Sequence, residues 1–123
     1  MEENKQNIKE ILLKFGKRAI EEYGSENVLT LTGEKADNYK VILTAMASML
    51  EERVGQLEIE EAKYKVANID RFKSSISAKD HWIITELGME QTELRHLLKS
   101  VDKIISSCNT RMSRLKQEAF NQQ

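Results

Sequence analysis

Residues 84–120 read ITELGMEQTELRHLLKSVDKIISSCNTRMSRLKQEAF, and the spacing of the apolar residues in this stretch decides the fold. Ile84, Leu87, Gln91, Leu94, Leu98, Val101, Ile105, Cys108, Met112, Leu115 and Ala119 alternate steps of three and four without a slip. That is an a/d seam of about five heptads, with only Gln91 distinctly polar. The adjoining g positions Ile83, Leu97 and Ile104 are apolar as well. A face this wide exceeds what one partner helix covers, so a bundle of three or four helices is expected.

The spacing predicts this third helix over about 78–120. Just before it, Ser77-Ala78-Lys79-Asp80 resembles a capping box with Asp in place of Glu. The preceding run Ser74-Ser75-Ile76-Ser77 is weakly helical, which puts a tight break at Ser74 to Ser77. One unbroken helix is the alternative, since no Gly or Pro enforces a turn. A second helix is predicted over about 35–74, with Thr32 as cap and Glu34 and Asp37 at its positive end. Its stripe is Leu43, Met46, Leu50, Val54, Leu57, Tyr64 and Phe72, widened later by Ile59, Ala62, Val66 and Ile69. Two helices of about 40 residues, roughly 60 Å each, joined by a short break imply an antiparallel hairpin. A turn centred on Ile76 sets Gly88 opposite Tyr64, where a missing side chain leaves room for the ring.

The first helix is predicted over about 3–23 from Ile8, Ile11, Leu12, Phe15, Ala19 and Tyr23, with Gly24 as its stop. The connector 24–33 alternates Val28, Thr30 and Thr32 with Leu29 and Leu31. It is either an ordered extended piece or a lone strand that pairs only within an oligomer. The first helix spans about 30 Å, half of the hairpin. The uncovered half would expose an apolar strip, so a homo-oligomer is expected, most simply a dimer with a four-helix core. Its interface would comprise Ile84, Leu87, Leu94, Leu97, Leu98, Val101, Ile104 and Ile105. A monomer whose connector covers the strip is the alternative.

Composition agrees with an all-α, coiled-coil-like bundle in one domain over 1–123. Among 123 residues there is no Pro and only 5 Gly, while 32% are charged and 40% hydrophobic. Little apolar material must cover much surface, which suits elongated helices. The net charge of -1 gives no global pull toward nucleic acid or membrane. The start of the chain lacks the apolar run of a signal peptide, and no apolar stretch approaches membrane-span length. With the single Cys108 suited to a buried helix position, a cytoplasmic protein is expected.

Chemical motifs are weak. Glu93 and His96 have the Glu-x-x-His spacing of helical di-iron proteins, but the heptad turns them outward and no second such motif exists. Asp80-His81-Trp82 lies near Ser74, Ser75 and Ser77, yet no glycine-rich elbow or oxyanion-hole signature accompanies them. Glu51, Glu52, Glu58, Glu60 and Glu61 read as a water-facing acidic stretch rather than a catalytic pair. No enzyme, cofactor or metal is expected. Trp82 is either a plug at the hairpin end or an exposed partner anchor. Arg95, Lys99, Lys103, Arg111 and Arg114 form a basic stripe opposite the seam, suited to nucleic-acid phosphates or an acidic protein, or else simply solvated. No interleaved aromatics support stacking on bases.

The expected function is therefore a non-enzymatic protein–protein interaction module (adaptor, inhibitor or assembly factor), with a nucleic-acid-associated accessory protein as the alternative. Short chains with paired long helices serve as adaptors, chaperone-like proteins, antitoxin-like proteins and phage-encoded inhibitors, a likeness of build alone.

Overall fold

The computed structural model describes residues 2–24, 28–72 and 75–122, with side chains from 8 in the first segment and from 77 in the third. Among the described residues the helices are, in order, α1 (Glu2–Tyr23), α2 (Gly33–Ala67), α3 (Ser75–Ile83) and α4 (Glu86–Asn121). The fold is all-α, and no strand occurs among the described residues. The two long helices pair antiparallel: Gly33 lies against Leu115 near one end, and Arg53 meets Glu90 toward the other.

The core runs along this pair. From α2 come Leu43, Ala47, Leu50, Val54 and Leu57, and from α4 Leu94, Leu97, Val101, Ile104 and Cys108, all buried. The α4 line keeps the three–four rhythm but occupies the d and g columns, while the a residues Leu98 and Ile105 pack only partly buried at its flank. The reason is geometric. α4 has two neighbours, α2 and α1, so the column facing the gap between them sinks deepest. In sequence the ends of that column are disguised by Glu90 and Arg111, which makes the a/d column look like the centre.

α1 has 22 residues, roughly 33 Å, against 35 residues, roughly 52 Å, in α2. Leu12 and Ala19 face the core, and Gly16 presses on Leu97, whose Cδ1 would sit 2.9 Å from an added Cβ. Tyr23 meets Tyr39 edge-on at 4.3 Å, tying the end of α1 to the start of α2. The half of the hairpin beyond the reach of α1 is covered by α3, which folds back and places Ala78 and Trp82 in the interior.

Three expectations about the helices are corrected. The second helix ends at Ala67 rather than near 74, because Asn68 caps it: its backbone N–H and its Nδ2 both donate to the Tyr64 carbonyl, at 3.1 and 2.8 Å. The third helix is broken at Ile84–Thr85, so residues 78–120 are two helices. Thr85 stands in extended geometry as the N-cap of α4, accepting from Gly88 N at 3.1 Å while its hydroxyl donates to Trp82 O at 2.6 Å. A cap inside an apparently continuous heptad is what the periodicity concealed. Gly88 does not make room for Tyr64. A Cβ there would lie 1.9 Å from the Trp82 carbonyl oxygen, so the missing side chain admits the backbone of the α3–α4 turn.

The proposed strand at 25–33 is also absent where it is described: Leu31 N–H donates to Val28 O at 3.1 Å, a turn, and Val28 is fully buried. Residues 25–27 of that segment, and Ser74 of the expected break, lie outside the described residues. Finally, Leu94, Leu97, Val101 and Ile104 were expected to meet a second copy. They are covered by helices of their own chain, with Leu87, Leu98 and Ile105 packed beside them, while Ile84 sits in the turn, 68% exposed. Apart from Ile84, that set of residues is not a free surface.

Two glycines in long helices therefore predict opposite outcomes. Gly88→Ala drives a methyl into a backbone carbonyl and lowers stability by about 2 kcal/mol or more despite the better helix propensity of Ala. Gly55, whose added Cβ would meet nothing within 4 Å, gains up to about 1 kcal/mol on replacement by Ala. Thermal melting of the two variants reads both signs.

Candidate functional site

Two features are candidates: a buried polar bracket where α2, α3 and α4 meet, and an apolar groove between α1 and α2. The bracket begins with Arg53, which grips Glu90 through two bonds, Nε to Oε2 at 2.7 Å and Nη2 to Oε1 at 3.0 Å. Both side chains are withdrawn from water, at 12% and 4% exposure. At the next residue of α4, Gln91 Oε1 accepts from Trp82 Nε1 at 2.7 Å inside the core. Gln91 Nε2 is buried and makes no hydrogen bond among the described residues, though the amide lies near enough to Glu61 to lower its pKa. Burial raises the Glu61 pKa, yet Lys65, 2.8 Å away, and the Gln91 amide outweigh it and hold the carboxyl below its usual range.

Around this bracket lies an aromatic cluster. Tyr64 stacks on His81 and shares a hydrogen bond with its Nδ1, and the rings of Phe72 and Trp82 complete the group. Trp82 is 3% exposed, so it is the plug at the hairpin end and not an outward anchor. The Arg53–Glu90 and Trp82–Gln91 contacts each join two helices, which makes the bracket a clasp that registers α2, α3 and α4.

The basic stripe is only partly available. Arg95 is exposed but pairs with Glu58 of α2 at 3.2 Å. Arg111 is drawn inward, its Nε donating to the Leu31 carbonyl at 2.8 Å, where it ties the connector to α4. Lys99, Lys103 and Arg114 are exposed and enter no ion pair among the described residues. Glu93 and His96 are exposed and line a shallow depression with Leu13, Lys17, Leu97 and Ser100. No group of three metal-ligating side chains comes together among the described residues. Burial raises the pKa of the Cys108 thiol, which sits inside the core.

The groove was not anticipated. α1 runs antiparallel to α2, with Ile8 beside Glu52 and Gln56 and Phe15 beside Ile42 and Ala45. Between them opens a cleft of about 280 Å³ lined by Leu12, Phe15, Ile42, Ala45, Met46 and Met49. It continues past Leu12 and Met49 into a second cleft reaching Ile8. Ile8, Ile11, Phe15, Ile42 and Met49 are each 45–53% exposed. The sequence signal was a three–four line in each helix, Ile8-Ile11-Phe15 in α1 and Ile42-Ala45-Met49 in α2. In α1 this line is part of the core stripe itself, and in α2 it runs beside the stripe.

Comparison with family models, with curated proteins and with solved structures gives no match. Among the described residues no helix is long and apolar enough to cross a membrane.

The clasp predicts a stability pattern. Glu90→Ala strands a buried guanidinium and costs about 3–5 kcal/mol, whereas replacing Arg53 and Glu90 together by Met recovers most of it; urea denaturation of the three proteins measures the difference. Glu61 adds a pH dependence. Its folded-state pKa lies below the unfolded one, so its contribution is full above the ordinary carboxylate range and disappears as pH falls through the folded value. Stability should therefore decline on acidification, and Glu61→Gln should remove part of that slope in melts taken between neutral and acidic pH.

Proposed function

We propose that the chain is a non-enzymatic protein–protein interaction module, an adaptor, inhibitor or assembly factor that docks a partner on the α1–α2 face. The supporting observation is the uncovered groove: large apolar side chains on two adjacent helices stand half in water, the usual mark of a binding surface. α2 reinforces the reading because it is apolar on both sides. Its inner side is spent on α4, while Ile59 and Val66 remain 59% and 72% exposed on the outer side.

The nucleic-acid alternative has less support, since Arg95 and Arg111 of its five cations already have protein partners. Two measurements decide between the readings. The folded protein should bind an anilinonaphthalene sulfonate dye saturably, and Phe15→Asp should abolish that signal while leaving the melting temperature within a few degrees. A large loss of stability instead would mean that Phe15 belongs to the core and the face is not a docking surface. Titration with duplex and single-stranded DNA at about 50 mM salt should show no binding; a steep negative salt slope, weakened by Lys99→Glu with Lys103→Glu, would transfer the function to nucleic acid.

A further inference from the structure

We infer that the occupant of the α1–α2 groove is a second copy of this chain, seated about a two-fold axis parallel to the two helices. This rests on the reading of that face as a docking surface and names what docks there.

Area is the first argument. Ile8, Ile11, Phe15, Ile42 and Met49 are about half exposed, and Val41, 62% exposed, borders them one turn from Ala45. With side chains of this size the six present on the order of 500 Å² of apolar surface. One side of a stable interface covers about 800 Å², of which roughly 60% is apolar. The strip is thus the size of one half of a dimer contact, with its polar rim still to be added.

Charge and helix direction supply the second argument. Beyond Ile11 and Phe15 the outer edge of α1 carries Lys14 and Arg18, both exposed and in no ion pair among the described residues, with the exposed Glu22 one turn further on. The opposite edge of the groove, on α2, carries the exposed Glu52. A strip with a cationic edge on one helix and an anionic edge on the other is complementary to itself when α1 of each copy lies over α2 of the other. A two-fold axis along the groove produces that overlay and keeps the facing helices antiparallel, as α1 and α2 already are within one chain. It closes a four-helix layer of two α1 and two α2 helices, and it brings Lys14 of each copy toward Glu52 of the other.

Light scattering across a dilution series of the full chain should give twice the 14.2 kDa chain mass at about 100 µM and dissociation on dilution. Phe15→Asp and Met49→Asp should each yield a monomer, whereas Val66→Asp on the outer side of α2 should remain dimeric. Lys14→Glu and Glu52→Lys should each weaken dimerisation about tenfold, and their combination should restore it. The charge variants lie at exposed positions, so this arm stands even where an apolar variant fails to fold. A monomer at every concentration with the dye site intact overturns the second copy and leaves the docking surface standing. Loss of the dye site as well overturns both. A dimer that survives Phe15→Asp but not Val66→Asp, or a charge pair that shows no rescue, overturns the proposed face.

Discussion

The structure depends on one constraint: the apolar line Leu94-Leu97-Val101-Ile104-Cys108 of α4 must be covered from two sides at once. α2 covers one side with Leu43, Leu50 and Leu57, and α1 covers the other through Leu12 and the close approach at Gly16. Removing such side chains from water is worth about 1.5–3 kcal/mol each, far more than any surface ion pair here. α1 is shorter than the pair it packs on, so the uncovered end requires another element. The break at Thr85 supplies it by letting α3 fold back and drive Trp82 into the gap.

That end of the molecule carries an unusual load of buried polarity for a small bundle. A buried ion pair such as Arg53–Glu90 gives little net stability compared with apolar residues of the same volume. Its consequence is geometric. A bidentate guanidinium–carboxylate contact tolerates little displacement, and with the Trp82–Gln91 bond it admits one register of α2, α3 and α4. Seams of Leu, Val and Ile would slide by a heptad at small cost; the clasp makes that slip strand two charges.

With α4 satisfied internally, the remaining apolar surface falls on α1 and α2. This reverses the arrangement that periodicity suggests, in which the strongest seam is also the one exposed for association. The strongest seam is consumed first, and the weaker, broken lines are left exposed. The groove and the outer side of α2 therefore carry the functional reading, while the basic side of α4 is in part structural: Arg95 and Arg111 brace α2 and the connector.

Helical class, the antiparallel pairing of two long helices and the outward placement of Glu93 and His96 are determined by local rules, namely periodicity, propensity and the absence of proline, which act within a few turns and are legible residue by residue. Which of three adjacent apolar columns on α4 lies deepest is not a local property. It follows from having neighbours on two sides, and it moves the centre from Leu98 and Ile105 to Leu97 and Ile104. The same holds for Trp82, Glu90 and the groove. A tryptophan reads alike as plug or anchor, a glutamate in a g column reads as solvated, and Ile8 and Phe15 read as core, until the path of a neighbouring helix settles which side of each residue meets protein and which meets water.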